Sequence, residues 1–206
     1  VDTYVAWRGG DPGGAEEEIE GIVAGVLDAQ REELGRFRVP ELLRAAAPEF
    51  VAAAEAGGRV FAGLCGASPA ALLAEMAAAD KRILYLANLG QVGGKVWGDA
   101  GWRHAEAYGA EWMGPAGHRD ELTRIYNAPA IHVDIGRLYQ DDIVTMRVFD
   151  VLACGGFCLA EWSEGLDELF VLGEELEVHR SLEELLSQVE RWMEAGPEAR
   201  AAVAAR

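Results

Sequence analysis

Asp142, Arg147 and Asp150 follow closely on Ile131-His132-Val133-Asp134-Ile135, an apolar run that reads as a strand. If the chain between them is helical, the two carboxylates stand ~12 Å apart along the axis, at ~1.5 Å per residue. That is the reach from a sugar hydroxyl, across a diphosphate, to a ribose. A carboxylate can accept two hydrogen bonds from vicinal hydroxyls, as dinucleotide folds use it on ribose. Arg147 offers a planar fork of donors suited to phosphate. With Asp142 as N-cap, the free N–H groups of Ile143 to Thr145 would face the loop GRLYQDD and form an anion-attracting helix end. Two plainer readings stand beside these. Asp142 caps its own helix and does nothing more, or Arg147 pairs with Asp150 three residues on, over a solvated face.

The elements that must carry these groups alternate after Gly93-Gly94. Short apolar strands are predicted at Lys95–Trp97, Glu111–Met113, Ala130–Ile135, Phe157–Glu161 and Leu176–His179. Helices are predicted at Arg119–Asn127, Ile143–Ala153, Leu166–Phe170 and Leu182–Ala195. Short connections between alternating elements imply an α/β fold, a Rossmann-like parallel sheet with helices on both faces. In such a sheet ligands bind beyond the carboxyl ends of the strands. The loops opening at Gly98, Gly114, Gly136-Arg137 and Trp162 are therefore the candidates.

Before this unit the chain reads as mostly helical. Val1–Arg8 is predicted as a strand, Gly9–Gly14 as a loop, Ala15–Phe37 as a helix and Pro40–Ala56 as a second helix stopped by Gly57-Gly58. Val60–Leu64 reads as a strand. A helix from Ala70 to Ala79 is expected after the Ser68-Pro69 start signal, running on through Lys81-Arg82 toward Leu89. The division expected is a helical linker or N-terminal segment over 1–80 and a Rossmann-like domain over 81–206. The start at Val1, inside strand-like sequence, reads as that of a fragment.

Eighteen Lys and Arg against 35 Asp and Glu leave a net charge of −17. That balance disfavours a nucleic-acid partner, which needs cations to displace phosphate counterions, and an anionic membrane surface. No run approaches the ~18 apolar residues of a membrane span. Cys65, Cys154 and Cys158 form neither a disulfide framework nor a zinc site, so a reducing, cytoplasmic setting is expected. Four scattered histidines give no metal-ligand spacing. No GxGxxG joins a strand to a helix, which counts against a dehydrogenase.

MRVFDVLACGGF (Met146 to Phe157), followed by LAEWSEGLDELF and SLEELLSQVERW, resembles the C-terminal domain of GT-B glycosyltransferases. More narrowly it resembles the CgeB-like spore-maturation branch, with R-[TV]-F-[ED]-x-x-A-C-G-G-F at this point. KVWGDAGW (Lys95 to Trp102) and RDELTRIYNAPAIHVDIGR (Arg119 to Arg137) resemble further motifs of that branch. The resemblance covers roughly 80–195. It implies a nucleoside diphosphate sugar as donor, an acceptor hydroxyl as co-substrate, no cofactor and no metal. It places Asp142-x7-Asp150 on the family's Glu-x7-Glu element, both carboxylates one methylene short. It places Thr145 and Arg147 by the diphosphate, the turn around Trp112 to Pro115, Gly114 included, by the base, and Lys81-Arg82 at the start of the domain's first helix. The general base and the acceptor side would belong to an absent N-terminal domain, leaving this piece inactive alone. The alternative is a non-catalytic nucleotide-binding or protein-interaction module that kept the fold.

His132 reads as a core histidine, Cys154 as a small buried hydrophobe, and Trp97, Trp102 and Trp112 as core and rim packing. Glu161 ends a strand at the ligand edge.

Overall fold

The computed structural model describes residues 12–57, 69–128, 130–140 and 142–206. The chain divides into two compact units, Val1–Lys81 and Arg82–Arg206, the boundary falling inside a helix.

The first unit holds α1 (Pro12–Arg31), α2 (Val39–Ala46), α3 (Pro48–Gly57) and the opening turns of α4 (Pro69–Gly90). Val26 and Leu27 of α1 and Val39 and Leu43 of α2 are buried, as their spacing dictates. The link between α1 and α2 is closed by one buried side chain. Gln30 Nε2 donates to the carbonyls of Glu33 and Arg36, each at 2.8 Å, and its Oε1 accepts from Arg38 N–H at 2.7 Å.

Two expectations change here. Pro12 to Gly14 are helical rather than loop, because proline in a first turn has no N–H to lose. The helix expected over Pro40–Ala56 is two helices, parted at Ala47 with φ −141° and ψ 59°. Pro48 is the cause, since a proline ring disfavours the α conformation of the residue before it. The strands expected at Val1–Arg8 and Val60–Leu64, the loop residues before Pro12, and Cys65 lie outside the described residues.

The second unit is α/β with parallel strands. β1 (Lys95–Val96) pairs with β2 (Glu111–Trp112), the chain crossing between them through a 3-10 helical stretch, Ala100–Tyr108. β3 (Ile131–Asp134), β4 (Phe157–Glu161) and β5 (Glu177–His179) form a second parallel sheet in that order. The single sheet expected from the sequence is thus two sheets. Strands of two residues, as β1 and β2 are, offer too few backbone groups to join a longer ladder.

β4 is central and buried on both faces, which explains its unbroken apolar run Phe157-Cys158-Leu159-Ala160. Side chains alternate across it. Cys158 and Ala160 pack with Val148 and Val151 of α6 (Met146–Ala153). On the opposite face Phe157 meets Trp192 of α8 (Leu182–Ala204), their ring centroids 4.7 Å apart. α8 kinks at Gly196-Pro197, one residue beyond the expected end of the helix. The remaining helices are α5 (Asp120–Tyr126) and α7 (Glu164–Leu169), the latter capped by the Ser163 hydroxyl, which accepts from Leu166 N–H. Among the described residues no helix is long and apolar enough to cross a membrane.

Candidate functional site

The carboxyl edge of β3–β4–β5 is held together by polar groups that the strands bring into register. Asp134 ends β3, Glu161 ends β4 and His179 ends β5, with Glu161 opposite His179. Glu161 Oε2 accepts from Gly136 N–H at 2.9 Å, pinning the start of the loop that follows β3. His179, fully buried, donates from Nε2 to the Asp134 carbonyl at 3.3 Å. The bond puts its hydrogen on Nε2, because a carbonyl can only accept. The Tyr85 ring of α4 lies 6.0 Å from the His179 ring. Burial, with the Glu161 carboxylate adding to it, raises the pKa of the Tyr85 hydroxyl far above the ordinary phenol range.

On the other face of the same edge the Asp134 carboxylate forms an ion pair with Arg147 Nη1. The Asp134 side chain is 5% exposed and that of Arg147 46%. Asp150 follows Arg147 one turn on along α6 and is solvent-exposed. Tyr126 shares this neighbourhood. Burial raises the pKa of its hydroxyl most, the Arg147 charge opposes that shift, and Asp150 and Asp134 add to it. His132, two residues before Asp134 on the same face, stands edge-on to the Tyr126 ring at 5.7 Å. Burial lowers its pKa and leaves Nε2 without a hydrogen-bond partner.

The helix end itself is not where the sequence places it. α6 begins at Met146, and its N-cap is Thr145, with φ −73° and ψ 145°. Asp142 therefore caps nothing. It is exposed in a turn, and the N–H groups of Ile143 to Thr145 belong to non-helical chain. Three consecutive β-branched residues, Ile143-Val144-Thr145, resist the α conformation and delay the helix by a turn. The axial spacing of Asp142 and Asp150 on one helix consequently does not hold. Thr145 makes no side-chain capping bond, and its Oγ1 is buried without a partner. A threonine at this position normally satisfies a helix N–H.

The remaining sequence-predicted residues fall into place as follows. Arg137 Nη1 donates to the Tyr139 hydroxyl at 2.6 Å, in the exposed loop after β3. Gly98, Trp112 and Gly114 belong to the carboxyl edge of β1–β2. Gly98 N–H donates to the Gly114 carbonyl at 3.0 Å, and Trp112 Nε1 donates to the Gly98 carbonyl at 3.2 Å. A side chain at Gly98 would collide with the Trp102 ring. The Arg103 guanidinium lies 4.5 Å above the centre of the Trp112 ring. Of the predicted residues, Thr145, Arg147 and Asp150 lie at the N-cap and along α6, Gly98, Trp112 and Gly114 at the carboxyl edge of β1–β2, and Arg137 and Asp142 in the chain between β3 and α6.

Asp134, Tyr126 and His179 were not among the residues singled out. Asp134 leaves a readable trace, as the one acid in an apolar strand and at its carboxyl end. Tyr126 and His179 leave none.

Comparison with known proteins gives one match. Residues 74–206 match a family model described as glycosyl transferase-like. No curated protein and no solved structure matches the chain significantly. The match takes in both sheets, α4 from its second turn, every later described helix and the polar groups at both sheet edges. The chain belongs to the glycosyl transferase-like family.

Proposed function

We propose that this chain binds the nucleoside diphosphate sugar donor of a GT-B glycosyltransferase close to the CgeB-like branch. In the reaction the bond from the anomeric carbon to the diphosphate oxygen breaks. A new bond forms from that carbon to an acceptor hydroxyl, which loses its proton, and the nucleoside diphosphate departs. Positive groups aimed at the departing diphosphate lower the barrier by stabilising charge as it develops.

The observation that carries this reading is the first turn of α6. Arg147 stands there half exposed and fixed at one nitrogen by a buried carboxylate. The remaining guanidinium donors and the N–H groups of the helix end together suit a diphosphate. Asp150, farther along the same helix, supplies a carboxylate for the ribose hydroxyls. The acceptor and its general base come from a part of the enzyme outside this unit, in a reducing, cytoplasmic setting.

Calorimetric titration with UDP and with GDP tests the reading. Asp150→Ala should bind the preferred nucleotide at least ~1 kcal/mol less tightly than wild type, the scale of a hydrogen bond to a charged group. Equal affinity removes Asp150 from the ribose. One observation favours the second reading, a nucleotide-binding module without transfer. Asp142 is off the helix, so the first carboxylate of the family's Glu-x7-Glu element has no counterpart on α6. Binding of a nucleoside diphosphate, with no release of it from any nucleotide sugar by the complete protein, would establish that reading.

A further inference from the structure

Both members of the Asp134–Arg147 pair occupy positions that local physics disfavours. Aspartate is among the residues least suited to a strand, and Asp134 is buried where its β4 neighbour is Ala160 and the surrounding core is Val148 and Val151. Arg147 is a cation in the first turn of α6, at the end where the helix dipole is itself positive. Well-packed apolar side chains in place of an ion pair with a buried member are often as stable or more so. Two local misfits that compensate each other mark a functional constraint rather than a folding one. Their joint effect is to hold a guanidinium at a positive helix end.

We propose that Asp134 is a positioning residue for the donor: its buried carboxylate grips one nitrogen of Arg147 and so aims the rest of the fork at the diphosphate. The inference rests on the donor-binding reading above and adds to it a residue that the ligand itself does not touch. It also separates geometry from charge. By Coulomb's law alone, removing a carboxylate beside an anion site strengthens anion binding. Positioning requires the opposite.

The test is calorimetric titration of the whole chain with UDP and with GDP, on wild type, Asp134→Ala, Asp134→Asn and Arg147→Lys. Asp134→Ala should bind the preferred nucleotide about tenfold or more weakly, although the site has gained a unit of positive charge. Asp134→Asn should stay within about threefold of wild type, because the amide oxygen still accepts from Nη1. Arg147→Lys should lose as much as Asp134→Ala, since an ammonium has no fork to aim. Affinity of Asp134→Ala equal to or above wild type overturns the proposal while leaving the donor reading in place, and so does an Asp134→Asn loss as large as that of Asp134→Ala. Wild type that binds neither nucleotide overturns both together. If thermal melting shows that Asp134→Ala does not fold, the other two variants decide: retention by Asn with loss by Lys supports the proposal, and equal affinity in both refutes it.

Discussion

β1 and β2 pair two residues against two, and their first pair, Lys95 and Glu111, is an exposed ion pair at 3.3 Å. β3, β4 and β5 pair by the same parallel rule, yet they lie between α6 and α8 and bury Asp134, Glu177 and His179 at or near their ends. The glycines and tryptophans at the edge of the first sheet give a fitted surface: Gly98 leaves room for Trp102, and Trp112 carries Arg103 on its ring. The second sheet's edge gives fixed charge. A carboxylate can be held out of water only where neighbouring layers supply both a low-dielectric wall and a partner, and a strand of two residues has neither. Fixed charge therefore belongs to the covered sheet.

Stability separates the two sheets most sharply at Leu159, which is completely buried in the central strand. Leu159→Ala should destabilise the second unit by ~3 kcal/mol in urea unfolding, whereas Val96→Ala in β1 should cost under ~1 kcal/mol. Equal losses would erase the contrast. Next in size is Arg147→Met, which strands the Asp134 carboxylate in the interior. The full penalty for breaking a buried pair is reduced here by the half-exposed arginine, leaving about 2 kcal/mol.

Gly98→Ala should cost ~1–2 kcal/mol, because the Trp102 ring must shift. A change in tryptophan emission would accompany it, and unchanged emission and stability would show the β1–β2 edge to be loosely fitted. Cys158, on the buried face of β4, has its thiol pushed up to about 12 by burial above all. At pH 8 it should resist maleimide in the folded protein while half-buried Cys154 reacts, as peptide mapping would show. The smallest effect concerns His132. Its folded pKa lies below the usual 6.5 because burial disfavours the charged ring, so the unfolded chain binds more protons below that pH. Stability is full above pH ~6.5 and declines as the pH falls toward the folded value. His132→Phe should flatten that part of the profile.

Much of this was legible in the sequence. The apolar run of β4, the glycines after Ala153 and the helix-strand alternation after Gly94 fix parallel strands with helices between them. Pro48 was an equally plain signal for the break between α2 and α3, and local pattern alone should have found it. The start of α6 was harder, since an acidic N-cap at Asp142 competes with the β-branched run that follows it. The Asp134–Arg147 pair was not legible at all. Spacing rules link side chains within one helix or across one ladder, and no such rule joins a strand's last residue to the first turn of the next helix. That the first two strands stand apart as their own sheet likewise depends on strand length, which composition sets poorly.

The proposed seat of a nucleoside diphosphate is the first turn of α6, at the edge of the three-stranded sheet. Amide chemical-shift mapping of the isotopically labelled chain, titrated with UDP and then with GDP, tests it most directly. The largest shifts are expected at Thr145, Met146, Arg147 and Asp150, with smaller ones at Asp134 and Gly136. Shifts confined to other surfaces, or none with either nucleotide at millimolar concentration, would contradict it.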